Sequence, residues 1–237
     1  MVFCKGGNTY VFIHNEVRPR WWYNTSMSRR VPFVNNEYYH VYNRGVEKRI
    51  IFKDKQDYER FLFMLEECNQ EDRVVGGYYA FKDNEVKSST SATNKKLVVI
   101  ENWCLMPNHY HLVLRQLVPG GIAKFLQKVM TGYTMYFNLR HARSGALFQG
   151  KTKSKHVDKE KYLNYLHYYI DLNPLELLYP DWKEKGVPSI DKARAYLEAY
   201  PWHQKRKYSG ETFNSEKFAK YALSIYKPAR SNKKAEA

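Results

Sequence analysis

The segment LVVIENWCLMPNHYHLVLR, residues 97–115, decides the fold of this chain. Two runs rich in apolar and β-branched residues flank the pair Pro107-Asn108, which is typical of a tight turn, so the segment predicts a β-hairpin. Side chains alternate between the two faces of a strand, and one face of the second strand therefore carries His109, His111, Val113 and Arg115. The two imidazoles lie about 7 Å apart along the strand, close enough to bind one cation. Taken alone, such a pair is also compatible with two histidines that only hydrogen-bond to the backbone.

Periodicity on either side of the hairpin predicts the rest of the domain. Residues 37–43, EYYHVYN, predict a first strand, and residues 53–69 predict a helix that Asp54 can cap. A second helix follows the hairpin with one continuous apolar face from Ile122 to Phe137, and a basic strand comes next. The order β-α-β-β-α-β is that of an α+β, ferredoxin-like fold, with one antiparallel sheet and two helices on one face. The first and third strands are central in this fold, so the histidine strand is expected at mid-sheet, with its exposed face opposite the two helices.

The chain is strongly basic and rich in tyrosine. Its 237 residues include 39 Lys and Arg against 24 Asp and Glu, a net charge of +15, together with 21 tyrosines. This composition suits a partner with a phosphate backbone and unpaired bases, so nucleic acid is the expected partner. A membrane partner is not expected, because the sequence has neither a contiguous basic amphipathic helix nor an apolar run of about 20 residues. The three cysteines match neither a disulfide framework nor a zinc pattern, which favours the cytoplasm.

Local composition predicts three parts of unequal length. Residues 1–27 show no lasting period and are expected to be an extension, native or not and possibly disordered, with Met27 as a candidate initiator. Residues 28–178 form the main domain, and a polar, serine-rich stretch over 72–96 is an insert in it. Residues 179–237 form a C-terminal tail, partly helical and basic.

A last helix over residues 158–173, DKEKYLNYLHYYIDLN, carries a candidate nucleophile. At 100° per residue, one face within about 60° of arc holds Tyr162, Leu166, Tyr169 and Asn173. Tyr169 and Asn173 are therefore i, i+4 neighbours, with a phenol and an amide oxygen side by side. Each also has an ordinary interpretation, Tyr169 as a core aromatic and Asn173 as a cap before the proline that follows.

Four separated motifs stand in one order along the chain. The first is YYHVYNRG at residues 38–45, and MPNHYHLVL, GALFQGKTK and YYIDLNP follow, beginning at residues 106, 145 and 168. In this order they resemble the REP-associated tyrosine transposases, which are solitary relatives of the single-tyrosine insertion-sequence transposases in the HUH endonuclease superfamily. The resemblance runs from about Tyr38 to Pro201 and includes YPW near its end. The extension, the insert and the basic tail depart from the family pattern.

The resemblance implies a role for each matching residue. His109 and His111 match the paired metal-binding histidines, Tyr169 matches the nucleophile, and Asn173 matches the polar residue that completes the metal site. In the insertion-sequence branch this last position is usually Gln. The implied ion is Mg²⁺ or Mn²⁺, and the implied reaction is cleavage and transfer of single-stranded DNA through a covalent 5′-phosphotyrosine.

The implied partner is a single strand with an imperfect hairpin, in a bacterial cytoplasm and in association with the nucleoid, bound by a monomer or a homodimer. Phosphate contacts are expected from basic residues on the first turn, the histidine strand and the basic strand, namely Arg44, Arg115, Lys151, Lys153 and Lys155.

Other functions fit parts of the same pattern. The fold could serve a hairpin-binding regulator that has lost transposition, or an HUH-type replication or relaxase nickase, although those nickases are usually larger and carry further domains. A zinc hydrolase would need a third histidine or carboxylate at the site, and the remaining histidines show no such spacing. Among them only His40, on the first strand, is expected beside the histidine strand.

Overall fold

A four-stranded antiparallel sheet is the centre of the chain in a computed structural model, which describes residues 2–5, 8–13, 16–19, 32–71 and 95–204. Its strands are β4 (Tyr38–Arg44), β5 (Val98–Met106), β6 (His109–Gln116) and β7 (Lys153–Val157). They lie in the order β5-β6-β4-β7, with every neighbouring pair antiparallel. This is the ferredoxin-like order, so the predicted α+β fold is confirmed, and the histidine strand β6 is one of the two central strands.

Two helices cover one face of this sheet. They are α1 (Lys55–Glu67), capped by the Asp54 carboxylate on the backbone N–H of Asp57, and α2 (Gly121–Arg140). The buried Tyr110 of β6 points toward them, because its ring packs on Phe61 of α1 and its hydroxyl donates to the sulfur of Met130 on α2. The predicted helices and the predicted cap are therefore confirmed.

A third helix, α3 (Glu160–Leu172), packs on the opposite face of the sheet. Its buried residues Leu166 and Ile170 form one cluster with Cys104 of β5 and Val113 of β6. The sequence predicted that the face away from α1 and α2 would be exposed. Instead α3 covers part of it, and His111 is only 8% exposed.

Residues 175–204 continue from α3 and return to the sheet. They form α4 (Leu175–Leu178), α5 (Trp182–Lys185) and α6 (Ile190–Ala199), and a second apolar cluster joins these helices to the end of α3. After α6 the chain runs along the edge strand β5, where the Leu105 N–H donates to the Trp202 carbonyl at 2.8 Å. The part of the predicted tail that lies before residue 205 is thus packed against the domain.

The first 34 residues form a separate unit with its own small sheet. Strands β1 (Val2–Lys5), β2 (Asn8–Ile13) and β3 (Glu16–Pro19) pair in an antiparallel meander. No periodicity in the sequence predicted these strands, and the predicted domain boundary near residue 27 stays a prediction. Nearly all of the predicted insert and the basic end of the tail lie outside the described residues. None of the helices that the structure describes is long and apolar enough to cross a membrane.

Candidate active site

The register of the sheet places most of the predicted site residues on the α3 face. In β4 and β6, Arg44 lies opposite His109 and Tyr42 lies opposite His111. On the other side of β4, Tyr42 lies opposite Lys153. Directly opposed residues of neighbouring strands share a face, and every second residue returns to it. The α3 face therefore carries His40, Arg44, His109, His111, Arg115, Lys153 and Lys155.

Each of the two histidines of β6 hydrogen-bonds to a different side chain. Their ring centroids are 5.2 Å apart, with the rings at 89° to one another. Nδ1 of His109 lies 2.6 Å from Oδ1 of Asn108 in the hairpin turn. Nδ1 of His111 lies 2.9 Å from Nε2 of His40 on β4. Both hydrogen bonds use Nδ1, so the Nε2 lone pair of each β6 histidine can face a ligand when Nδ1 carries the proton.

Burial keeps these imidazoles neutral at physiological pH. Desolvation is the largest influence on all three, and it lowers the pKa of His40 and of His109 to about 4. His111 is also close to both other histidines, and its pKa is well below the ordinary value. A neutral imidazole is the form that binds a metal ion, so protons do not compete for these nitrogens near pH 7.

Helix α3 brings Tyr169 onto the histidines. The centroid of its ring is 5.8 Å from that of His111 and 6.3 Å from that of His40, and both contacts are edge-on. Tyr165 stacks on the other side of the Tyr169 ring at 6.3 Å. The neighbouring Tyr168 points away and is 40% exposed. Tyr169 therefore contacts His111 and His40 from the helical face that the sequence predicted.

Asn173 is fully buried at the C-terminal end of α3. Its backbone N–H donates to the Ile170 carbonyl, so the residue does end the helix. Among the described residues neither polar atom of its side-chain amide has a hydrogen-bond partner. Leaving a buried amide without hydrogen bonds costs about 1–3 kcal/mol of folding stability. Ending the helix uses only the backbone N–H of Asn173, so its side-chain amide is suited to binding a ligand. Its role as a metal ligand stays a prediction.

A pocket of about 460 Å³ opens beside the hairpin turn, at the end of β6 where His109 begins the strand. Its lining combines the two β6 histidines with three basic side chains, Arg44, Lys48 and Lys153. Glu176 of α4 is the one acidic residue of the lining. The full lining is Tyr42, Asn43, Arg44, Lys48, Asn108, His109, Tyr110, His111, Gln149, Lys153 and Glu176.

Gly45 fixes the turn that forms the pocket rim next to Arg44. A Cβ atom on Gly45 would lie 2.1 Å from the carbonyl oxygen of Arg49, a contact that backbone atoms cannot tolerate. The Gly45 N–H donates to the carbonyl of Asn108 at 2.8 Å, which joins this turn to the histidine hairpin. Arg44 itself is hydrogen-bonded to the side chain of Gln149.

The other residues predicted to contact DNA do not line this pocket. Arg115 is six residues along β6, where it pairs with Glu101 at 3.1 Å and lies over the ring of Tyr38. Lys155 lies over the ring of Tyr162, with Nζ 4.6 Å from the centroid. Lys151 is exposed in the loop before β7. Their contacts with DNA stay predictions.

Two residues that sequence reasoning missed complete the surroundings of Tyr169. Nζ of Lys183 on α5 donates to Oε2 of Glu176 at 3.0 Å and lies 5.3 Å from the centroid of the Tyr169 ring. Glu176 is also close enough to His109 to oppose the lowering of its pKa. Nothing in the local sequence marks either residue, because α4 and α5 are four residues long and show no period.

Comparisons with known proteins give a likeness to a solved structure. No protein-family model matches the chain, and no curated protein matches it. A search of solved structures finds a chain described as "Structure of the REP associates tyrosine transposase bound to a REP hairpin". The two share 12% sequence identity and a TM-score of 0.46, over 75% of this chain and 81% of that chain.

Proposed function

We propose that this protein is a metal-dependent endonuclease and strand transferase that acts on hairpin-bearing single-stranded DNA through a covalent 5′-phosphotyrosine on Tyr169. The observation that carries the proposal is the position of Tyr169 across His111, with ring centroids 5.8 Å apart on one face of the sheet. The basic rim of the adjoining pocket suits a phosphate substrate. A hairpin-binding regulator would have no need of a phenol beside two neutral imidazoles.

The donor set fits a divalent cation such as Mg²⁺ or Mn²⁺. His109 and His111 offer neutral ring nitrogens, and the buried amide of Asn173 has no hydrogen-bond partner in the described part of the chain. The described residues contain no cluster of three His, Cys, Asp or Glu side chains that could hold a metal ion, so an amide is the third donor in this proposal. Imidazole nitrogens favour Mn²⁺ over Mg²⁺. A bound divalent cation supplies positive charge at the scissile phosphate.

Tyr169 performs the covalent step. Its phenolic oxygen attacks the phosphorus and forms a P–O bond, the bond from phosphorus to the 3′ oxygen breaks, and the 3′ oxygen takes up a proton to leave as a hydroxyl. The proton lost by the phenol passes to solvent. An ordinary tyrosine phenol loses its proton only near pH 10, so positive charge beside it favours the reaction. The phosphodiester energy is retained in the tyrosyl link, so the strand can be rejoined without ATP.

The DNA itself is held mainly through phosphates. Arg44 and Lys153 stand at the pocket rim, and Lys151 and Lys155 lie on the loop and strand beside it. Such contacts position the strand without reading bases, so the hairpin is distinguished by its shape and its unpaired ends.

The test is the covalent adduct. An oligonucleotide with an imperfect hairpin and single-stranded flanks is incubated with Mn²⁺, and adducts are resolved on a denaturing gel. We expect adduct with the wild type and with the matched control Tyr168→Phe. We expect none with Tyr169→Phe, which should still bind the hairpin, because the substitution removes one hydroxyl group. Adduct formation by Tyr169→Phe would assign the reaction to another residue, and adduct formation in EDTA would remove the metal from the proposal.

A further inference from the structure

We propose that Lys183 is a catalytic residue of this reaction, whose ammonium group binds the scissile phosphate while Tyr169 attacks it. The inference rests on the proposed function and names a group that the covalent step needs. It starts from the position of Lys183, whose Nζ lies 5.3 Å from the centroid of the Tyr169 ring. A phosphate that reaches the phenolic oxygen comes within reach of the same ammonium group.

Glu176 fixes the ammonium group in that place. Its carboxylate accepts from Nζ of Lys183 at 3.0 Å, and the two side chains are 42% and 30% exposed, respectively. Glu176 also lines the pocket that contains His109 and His111. The ion pair therefore lies between the pocket and the candidate nucleophile. Glu176 is on the side of the histidines, and Lys183 lies over the ring of Tyr169.

Apolar packing next to Lys183 holds its ammonium group in this position. The residue before Lys183 is Trp182, which is 2% exposed and packs in one cluster with Leu172, the last residue of α3, and Leu175 of α4. Tyr169 stands three residues before Leu172 on the same helix and packs on the neighbouring cluster of Leu166 and Ile170, so α3 links the anchor of Lys183 to the anchor of the phenol. A lysine on a free loop would have no such fixed distance to the ring.

The ammonium group keeps its charge and has hydrogen-bonding capacity to spare. Burial by itself lowers the pKa of Lys183, but the adjacent Tyr169 and Glu176 side chains outweigh it and hold the pKa above its ordinary value. An ammonium group has three N–H donors, of which Glu176 accepts one and the side chain of Tyr169 is within hydrogen-bonding reach of a second. A phosphate oxygen can accept another without displacing the ion pair. Charge that develops on that oxygen during attack is stabilised by a donor that is already in place.

The experiment measures the rate of adduct formation with two substrates. One carries the natural phosphate at the cleavage site, and the other carries a methylphosphonate there, in which a methyl group replaces one non-bridging oxygen and its negative charge. The variants are Lys183→Met and Lys183→Arg. Lys185→Met is the matched control, because Lys185 lies on the same helix and pairs with Asp181 instead.

With the natural phosphate we expect Lys183→Met to be slower by a factor on the order of 10² and Lys183→Arg to recover part of the rate. Lys185→Met should match the wild type. With the methylphosphonate, Lys183→Met and the wild type should react at similar rates, because the charge that Lys183 binds is gone.

Equal rates for the wild type and Lys183→Met on the phosphate would overturn the role of Lys183 and leave the proposed function intact. An equal loss on both substrates would also overturn it, because that result indicates a displaced Tyr169. No adduct from the wild type on either substrate would overturn the proposed function itself, and this role with it.

Discussion

Replacing His40 should weaken metal binding although His40 does not face the pocket. We consider His40→Leu, which keeps the volume of the side chain and removes both ring nitrogens. His40 lies on β4 with 8% of its surface exposed, and its Nε2 is 2.9 Å from Nδ1 of His111. The substitution leaves His111 in place and deprives it of this partner.

The size of the effect follows from that hydrogen bond. With His40 neutral, Nδ1–H of His111 can donate to Nε2 of His40, and this tautomer leaves the lone pair on Nε2 of His111 for a ligand. In His40→Leu the buried Nδ1–H loses its acceptor, which costs about 1–3 kcal/mol, and the other tautomer becomes competitive. Since 1.4 kcal/mol corresponds to about tenfold in affinity, we expect Mn²⁺ to bind about 10- to 100-fold more weakly.

The assay is a Mn²⁺ titration followed by electron paramagnetic resonance, without DNA. His40→Gln is the conservative variant, because its amide oxygen can accept from His111, and it should recover part of the affinity. His156→Leu is the matched control, since His156 lies on the neighbouring strand β7 and pairs with Glu37 at the surface. Unchanged Mn²⁺ affinity in His40→Leu would refute the assignment of His40 as the partner that orients His111.

Three further predictions concern the support of the site and its DNA. Asn102→Leu removes buried hydrogen bonds from β5 to α3 and should lower the free energy of unfolding in urea by about 1–3 kcal/mol. Arg140→Gln, which breaks the ion pairs with Asp54 and Asp57, should lower the free energy of unfolding in urea by about 3 kcal/mol at neutral pH. The hydrogen bond from Arg140 is the largest cause of the lowered pKa of Asp54. The stabilisation from this pair is therefore present at neutral pH and is lost as the pH falls through the pKa of Asp54 in the folded protein. The variant should accordingly lose less stability in acid than the wild type does. Lys153→Ala should reduce the salt slope of single-strand binding by about 0.7, whereas Lys55→Ala, on the opposite side of the sheet, should leave it unchanged.

The sheet and its two flanking helices could be predicted because local patterns determine them. The Pro-Asn turn defines the hairpin, and alternation along residues 109–115 assigns each side chain to a face. Asp54 marks the start of α1 and caps it in the structure. Once the pairing of β4 with β6 and of β7 with β4 is known, the same alternation shows which residues of β4 and β7 share the histidine face. The basic residues of these strands then fall on the histidine face without further information.

The surroundings of the nucleophile could not be predicted, because they depend on contacts between distant short elements. An amphipathic pattern shows which side of α3 is apolar but not which sheet face it meets. Lys183 reaches Tyr169 through two four-residue helices whose sequences have no period. The sequence predicted only that His40 lies beside the histidine strand. It does not show that the side chains of His40 and His111 hydrogen-bond to each other.

The apolar residues next to Tyr169 determine that Tyr169, and not Tyr168, faces the sheet. Each step along an α-helix turns the side chain by 100°, so only one of two consecutive tyrosines can face the sheet. Leu166 and Ile170 are buried against Val113 and Cys104, and this contact fixes the rotation of α3. Tyr169 is three residues from Leu166 and one from Ile170, so it lies at the edge of the buried stripe, where its ring contacts His111 and remains partly accessible. The packing that covers the sheet therefore also places the ring of Tyr169 against His111 and His40.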